Sequence, residues 1–93
     1  MKFEWDENKN RTNKIKHGLS FQEAITVFDD EYAIVIYDEP HSITEERFII
    51  IGINMQFKEI AVCHCYRGID NDIIRIISAR KATATEVFLY GRK

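Results

Sequence analysis

Hydrophobic and polar positions divide the chain into stretches of different period. From Glu7 to His17 it is almost wholly polar, with Ile15 the only large apolar residue. Asp6 supplies a side-chain acceptor ahead of the first turn. Glu7 follows where a helix dipole is positive, and Lys14, Lys16 and His17 fall where it is negative. Gly18 is a stop. The pattern predicts a helix through about His17, held mainly through its ends or covered on one face by another molecule, since one apolar residue makes no stripe. Ser20-Phe21-Gln22-Glu23 has capping-box spacing, and Phe21, Ala24, Ile25 and Phe28 recur at helical intervals until Asp29-Asp30, so a second helix is expected there.

From residue 32 the period becomes that of strands. Tyr32 to Tyr37, Arg47 to Ile53, Glu59 to Tyr66 and Ile73 to Ala79 are β-branched and aromatic runs of strand length. The intervening segments, with Pro40 in the first and Gly68 in the third, are too short for helical crossovers, which predicts neighbouring antiparallel strands. Thr83-Ala84-Thr85-Glu86 is a second capping box, and Val87, Phe88 and Leu89 give a closing helix apolar surface. The expected fold is α+β: two N-terminal helices, a four-stranded antiparallel meander and a C-terminal helix, in one domain spanning residues 1–93. Phe3-Glu4-Trp5 is a short apolar start.

Composition narrows the class. At 93 residues and 45% hydrophobic, a core forms without metal or disulfide staples. No run approaches the roughly 18 apolar residues of a membrane helix, and the N-terminus lacks a signal-peptide core, so a soluble cytoplasmic protein with no membrane partner is expected. Cys63 and Cys65, two apart on one strand, lie about 6.6 Å apart and are expected to be unpaired thiols acting as small hydrophobes.

The net charge of −2 conceals a division. Residues 1–21 carry a balance of +2, residues 22–46 hold eight acids and no Lys or Arg, and residues 47–93 carry +4. Two basic segments brought together would make an anion-binding surface on an acidic protein; otherwise the charges form a mixed solvated surface.

Candidate chemistry is confined to the basic residues. Cys63-His64-Cys65 is not a zinc site, because alternation turns His64 away from both thiols and the chain has no further Cys. There is no phosphate-cradling Gly-rich loop and no nucleophile elbow. What remains is Arg67 at a strand end and Arg75-Ile76-Ile77-Ser78-Ala79-Arg80-Lys81 leading to a capped helix. In a regular strand Arg75 and Arg80 face opposite sides. Arg80 and Lys81 stand where guanidinium, backbone donors and helix dipole together hold phosphate; equally, they stand where Glu86 or Asp70 and Asp72 would pair with them.

Several stretches in order resemble the BrnT toxin family: Phe3-Glu4-Trp5-Asp6, Lys16-His17-Gly18, Ser20-Phe21 with Val27-Phe28-Asp29-Asp30, His41-Ser42 with Glu45-Glu46-Arg47, and Arg75 through Thr83. The resemblance implies a RelE-like fold and a metal-independent, cofactor-free endoribonuclease that cuts RNA and arrests growth. It further implies a ribbon-helix-helix antitoxin of BrnA type as partner, with operator DNA reached only through that antitoxin. In such enzymes the ribose 2′-hydroxyl attacks phosphorus while cations stabilise the transition state. Carried onto this chain, Arg67 and Arg80 become clamps, with Lys16, Arg75 and Lys81 as substrate-binding residues. His17 becomes the proton-transfer group, since an imidazole titrates near neutrality; as a cation at a helix C-terminus it also has a purely structural reading. His64 reads as a sheet residue. The acidic stretch 22–46 either repels RNA from one face or receives basic antitoxin residues. The alternative function is a non-catalytic partner-binding module acting as co-repressor with a DNA-binding antitoxin.

Overall fold

A polar helix needs anchors other than an apolar stripe, and here they are amides. In the computed structural model, which describes residues 1–91, α1 spans Glu7–His17. Asp6 caps it by accepting from the Asn8 and Lys9 N–H groups, and Gly18 closes it at φ 69°. Ile15 is 87% exposed. The helix is held by two buried asparagines instead. Asn10 accepts from the Phe21 N–H at 2.7 Å and donates to Gln22. Asn13 donates to the carbonyls of Leu19 and Ala79 and accepts from the Ala79 N–H.

The Ser20–Glu23 capping box forms as expected, but the helix behind it is one turn, α2 (Phe21–Ala24), tightening into a 3₁₀ segment at Ile25–Asp29. Three β-branched residues in a row, Ile25-Thr26-Val27, disfavour regular helix, and the Thr26 hydroxyl turns back to the Glu23 carbonyl.

The four expected strands form the antiparallel meander: β2 (Ile34–Tyr37), β3 (Phe48–Ile53), β4 (Glu59–Arg67) and β5 (Ile73–Lys81). The sheet nevertheless has five strands and is mixed, which corrects the four-stranded antiparallel expectation. The short apolar start is β1 (Lys2–Glu4), paired in parallel with β5 to give the order β1-β5-β4-β3-β2. Three residues are too few to show a period, and the parallel partner lies some 70 residues away. The chain closes with α3 (Ala84–Tyr90), whose Thr83–Glu86 capping box is complete.

Each sheet face has its own apolar cluster. One gathers Phe21, Ala24 and Val27 against Ile50, Val62, Ile74, Ile76 and Ala79; the other places Ile51, Ala61 and Ala82 under α3. The β4–β5 register shifts between them: Cys63 pairs with Ser78 but His64 pairs with Ile76, leaving Ile77 as an extra residue. Ile76 and Ala79 therefore both point into the first cluster although they are three apart. Arg75 and Arg80, which a regular strand would separate, come to the same face.

Among the described residues no helix is long and apolar enough to cross a membrane. Arg92 and Lys93, two of the C-terminal bases, lie outside the described residues.

Candidate functional site

The face of the sheet opposite Phe21 and Val27 carries the arginines. Along β4, Ala61, Cys63, Cys65 and Arg67 alternate onto it; along β5 the extra residue delivers both Arg75 and Arg80; and Arg47, two residues before Ile49, joins from the start of β3. Four guanidinium groups thus share one surface, each between about a third and a half exposed.

Each has a carboxylate. Arg67 donates to Glu45 at 2.9 Å, Arg47 stands 3.6 Å from the other oxygen of Glu45, and Arg75 donates to Glu4 at 2.8 Å across the parallel pair. Arg80 is bidentate on Glu86, at 2.6 and 3.0 Å. The Arg80 guanidinium holds the Glu86 carboxyl below the usual range, and Glu86 in turn raises Arg80. Arg67 is raised through Cys65 first and then Glu45. The Arg47 Nε is buried and has no partner, an unfilled donor on this face.

The cysteines lie beneath the arginines. Burial first, then the charge of Asp38, pushes the Cys63 thiol up to about 11, so Cys63 is a protonated donor toward Asp38 at 3.8 Å and no nucleophile. Asp38 also holds His41 Nδ1 at 3.0 Å. His64 points the other way, fully buried against Phe28, Phe48 and Tyr66, with Nδ1 on the Val62 carbonyl and its pKa lowered by burial. It is the sheet residue expected. Among the described residues no three His, Cys, Asp or Glu side chains are grouped to share a metal ion.

The other three candidates are elsewhere. β1 stops at Glu4, opposite Arg75, so the edge of β5 beyond that point faces α1. A groove there is lined by Lys16, His17, Ile77 and Ser78. His17 also borders a cavity of ≈ 460 Å³ with Lys81, Phe57 and Lys58. Lys81 follows Arg80 and takes the opposite face. The structure therefore places Arg67, Arg75 and Arg80 on one face of the sheet, spread along β4 and β5, and places Lys16, His17 and Lys81 around the β5 edge. Ser78 joins the two regions, being the register partner of Cys63 and a wall of the groove.

Sequence reasoning missed Arg47 and the carboxylates Glu4 and Glu45. Arg47 was visible within Glu45-Glu46-Arg47, but only the β3–β4 register shows that it shares a face with Arg67.

A family model for the ribonuclease toxin BrnT of type II toxin-antitoxin systems matches residues 5–86. Among solved structures, the chain is similar to the Brucella abortus ribonuclease toxin BrnT, at 32% identity and a TM-score of 0.67, over 89% of this chain and 97% of that one. No curated protein matches the sequence.

Proposed function

The chain belongs to the BrnT family of ribonuclease toxins of type II toxin-antitoxin systems, and from that premise we propose that it is a metal-independent endoribonuclease whose scissile phosphate sits on the arginine face. The observation that supports this reading is the placement of Arg67, Arg75 and Arg80 on one face of the sheet through the extra residue Ile77. Attack of a ribose 2′-hydroxyl on the adjacent phosphorus builds negative charge on the non-bridging oxygens while the bond to the 5′ oxygen breaks. Planar guanidinium forks fixed around that charge are the fitting stabilisers. Arg67 and Arg80 are the clamps, Arg75 supplies further donors, and Lys16 and Lys81 hold flanking phosphates.

His17 is the proposed proton carrier. It removes the 2′-hydroxyl proton or returns one to the leaving 5′ oxygen, which requires the scissile phosphate to lie at the Ser78 end of the arginine face, where the α1–β5 groove opens. Growth inhibition in the cytoplasm follows from RNA cleavage, and a BrnA-type ribbon-helix-helix antitoxin neutralises it and carries the complex to operator DNA.

The pairing of each of the four arginines on this face with a carboxylate favours a second reading, a co-repressor subunit that binds the antitoxin and cuts nothing. Inducible expression in a bacterial host, with RNA ends mapped by primer extension, separates the two. The native chain is expected to arrest growth and create new ends, and the folded Arg80→Ala form to do neither. A folded native chain that produces no ends overturns the enzyme reading.

A further inference from the structure

An open sheet edge invites pairing by another chain, and proteins guard such edges with charges, bends or covering groups. Two of the three open stretches in this sheet are guarded. β1 is three residues long and carries Lys2 and Glu4. The edge of β5 beyond Arg75 is closed by Asn13, whose side-chain amide exchanges two hydrogen bonds with Ala79 as a neighbouring strand would.

β2 has neither device. Ile34-Val35-Ile36-Tyr37 contains no charge and no proline, and its pairing with β3 is regular throughout. The Asp38 N–H donates to the Arg47 carbonyl, which marks Asp38–Arg47 as a hydrogen-bonded pair of the ladder. By alternation Ile36 and Ile34 also bond inward, and the N–H and C=O groups of Val35 and Tyr37 point away from the sheet. Both residues are 49% exposed, and Ile43, in the following loop, is 88% exposed.

The surroundings select the kind of partner. No Lys or Arg occurs between Lys16 and Arg47. Asp29 and Glu31 lie before β2, Glu39 and Glu46 after it, all four are exposed, and none has an ion-pair partner among the described residues. A second copy is disfavoured: antiparallel β2–β2 pairing would bring the Glu31 end of one chain to the Glu39 end of the other, acid against acid. RNA is repelled by the same charges.

We propose that β2 is a docking edge for an extended, basic segment of the protein antitoxin, which adds as a sixth strand alongside Val35 and Tyr37 while its Lys and Arg residues meet Glu31 and Glu39. This rests on the reading that a protein antitoxin binds the chain. It adds the surface and the mode, strand addition. The docking edge belongs to the acidic stretch 22–46, whose exposed carboxylates are unpaired among the described residues, whereas on the arginine face each guanidinium has a carboxylate beside it.

The test is amide hydrogen exchange on the full chain, free and in complex with its cognate antitoxin. The expected result is slowing of the Val35 and Tyr37 amides by tenfold or more in the complex, and loss of affinity by tenfold or more in the Glu31→Lys/Glu39→Lys double variant, steeper at low salt. Val35→Pro removes one outward N–H at a position where an edge strand tolerates proline, and it is expected to weaken the complex similarly. A complex that leaves these two amides unprotected and protects α1 or the arginine face overturns the docking edge while leaving the toxin reading intact. Protection in the free chain that rises with its concentration overturns it in favour of self-pairing. Protection by RNA alone overturns it in favour of nucleic acid. Absence of any complex overturns both this inference and the partner reading on which it rests.

Discussion

The guanidinium of Arg80 and the carboxylate of Glu86 form a two-bond fork, and the same Glu86 Oε1 that receives Arg80 also accepts the Thr83 N–H at 2.8 Å, capping α3. The last helix and the proposed clamp are thereby locked together. Glu86→Gln is expected to cost about 1 kcal/mol in chemical denaturation, since the cap survives in part but the charged fork does not. Because Arg80 holds the Glu86 carboxyl below its ordinary value, the stabilisation is fully present above about pH 4.5 and is lost as pH falls through the lowered value in the folded state. The Gln variant should lack that portion of the acid loss. RNA cleavage should fall as well, since Arg80 loses the partner that orients it.

Arg80→Ala separates chemistry from folding. Loss of one preorganised cation at a phosphate is expected to lower the cleavage rate by about 10²-fold. A complex with antitoxin of undiminished affinity, measured by titration calorimetry, would show that the loss is local.

Asn13 holds α1 to the sheet by three hydrogen bonds within a buried setting. Asn13→Leu keeps the size but strands the Ala79 N–H and the Leu19 and Ala79 carbonyls, with an expected cost of about 3 kcal/mol. Urea unfolding gives the magnitude, and faster exchange of the Ala79 amide would place it.

His64 makes acid stability depend on one imidazole. Burial lowers its pKa, so the unfolded chain binds a proton near pH 6.5 that the folded chain refuses. Stability attributable to His64 is therefore full above about pH 6.5 and declines as pH falls from there toward the lowered folded value. His64→Phe, which leaves an aromatic ring beside Phe28 and Phe48, should flatten the stability profile in that window. An unchanged slope by thermal melts from pH 7 to 5 would count against this account.

Cys63, its thiol pushed up to about 11 and half-buried, and Cys65, fully buried, are expected to react with a thiol reagent at pH 8 no faster than the protein opens. Immediate labelling of either in the native chain would contradict this.

The sequence read well where a local signal is strong. Caps at Asp6, Ser20 and Thr83, the stop at Gly18 and four strands of the meander were legible because side chain, period and turn agree at each. β1 was not, since a three-residue strand acquires its identity only from a partner some 70 residues on. The single-turn α2 was misjudged because apolar spacing continued to Phe28 while three β-branched residues resisted the helix. For the site, Arg67, Arg75 and Arg80 were visible as residues, but not as a group. The grouping depends on a register shift between Cys63 and His64, and no pattern within the β5 sequence announces it.

That shift has a consequence for how the segment tolerates change in length. Turns such as Asn54 to Lys58 lie at the surface, where added or lost residues disturb little. Between Arg75 and Arg80 the tolerance lies at one position: without Ile77 the strand is regular, Ser78 follows Ile76 directly, and Arg75 and Arg80, then four steps apart, stay on one face while Ile76 and Ala79 stay on the other. The bulge is thus a place where the strand can give up a residue and keep both its core and its arginines.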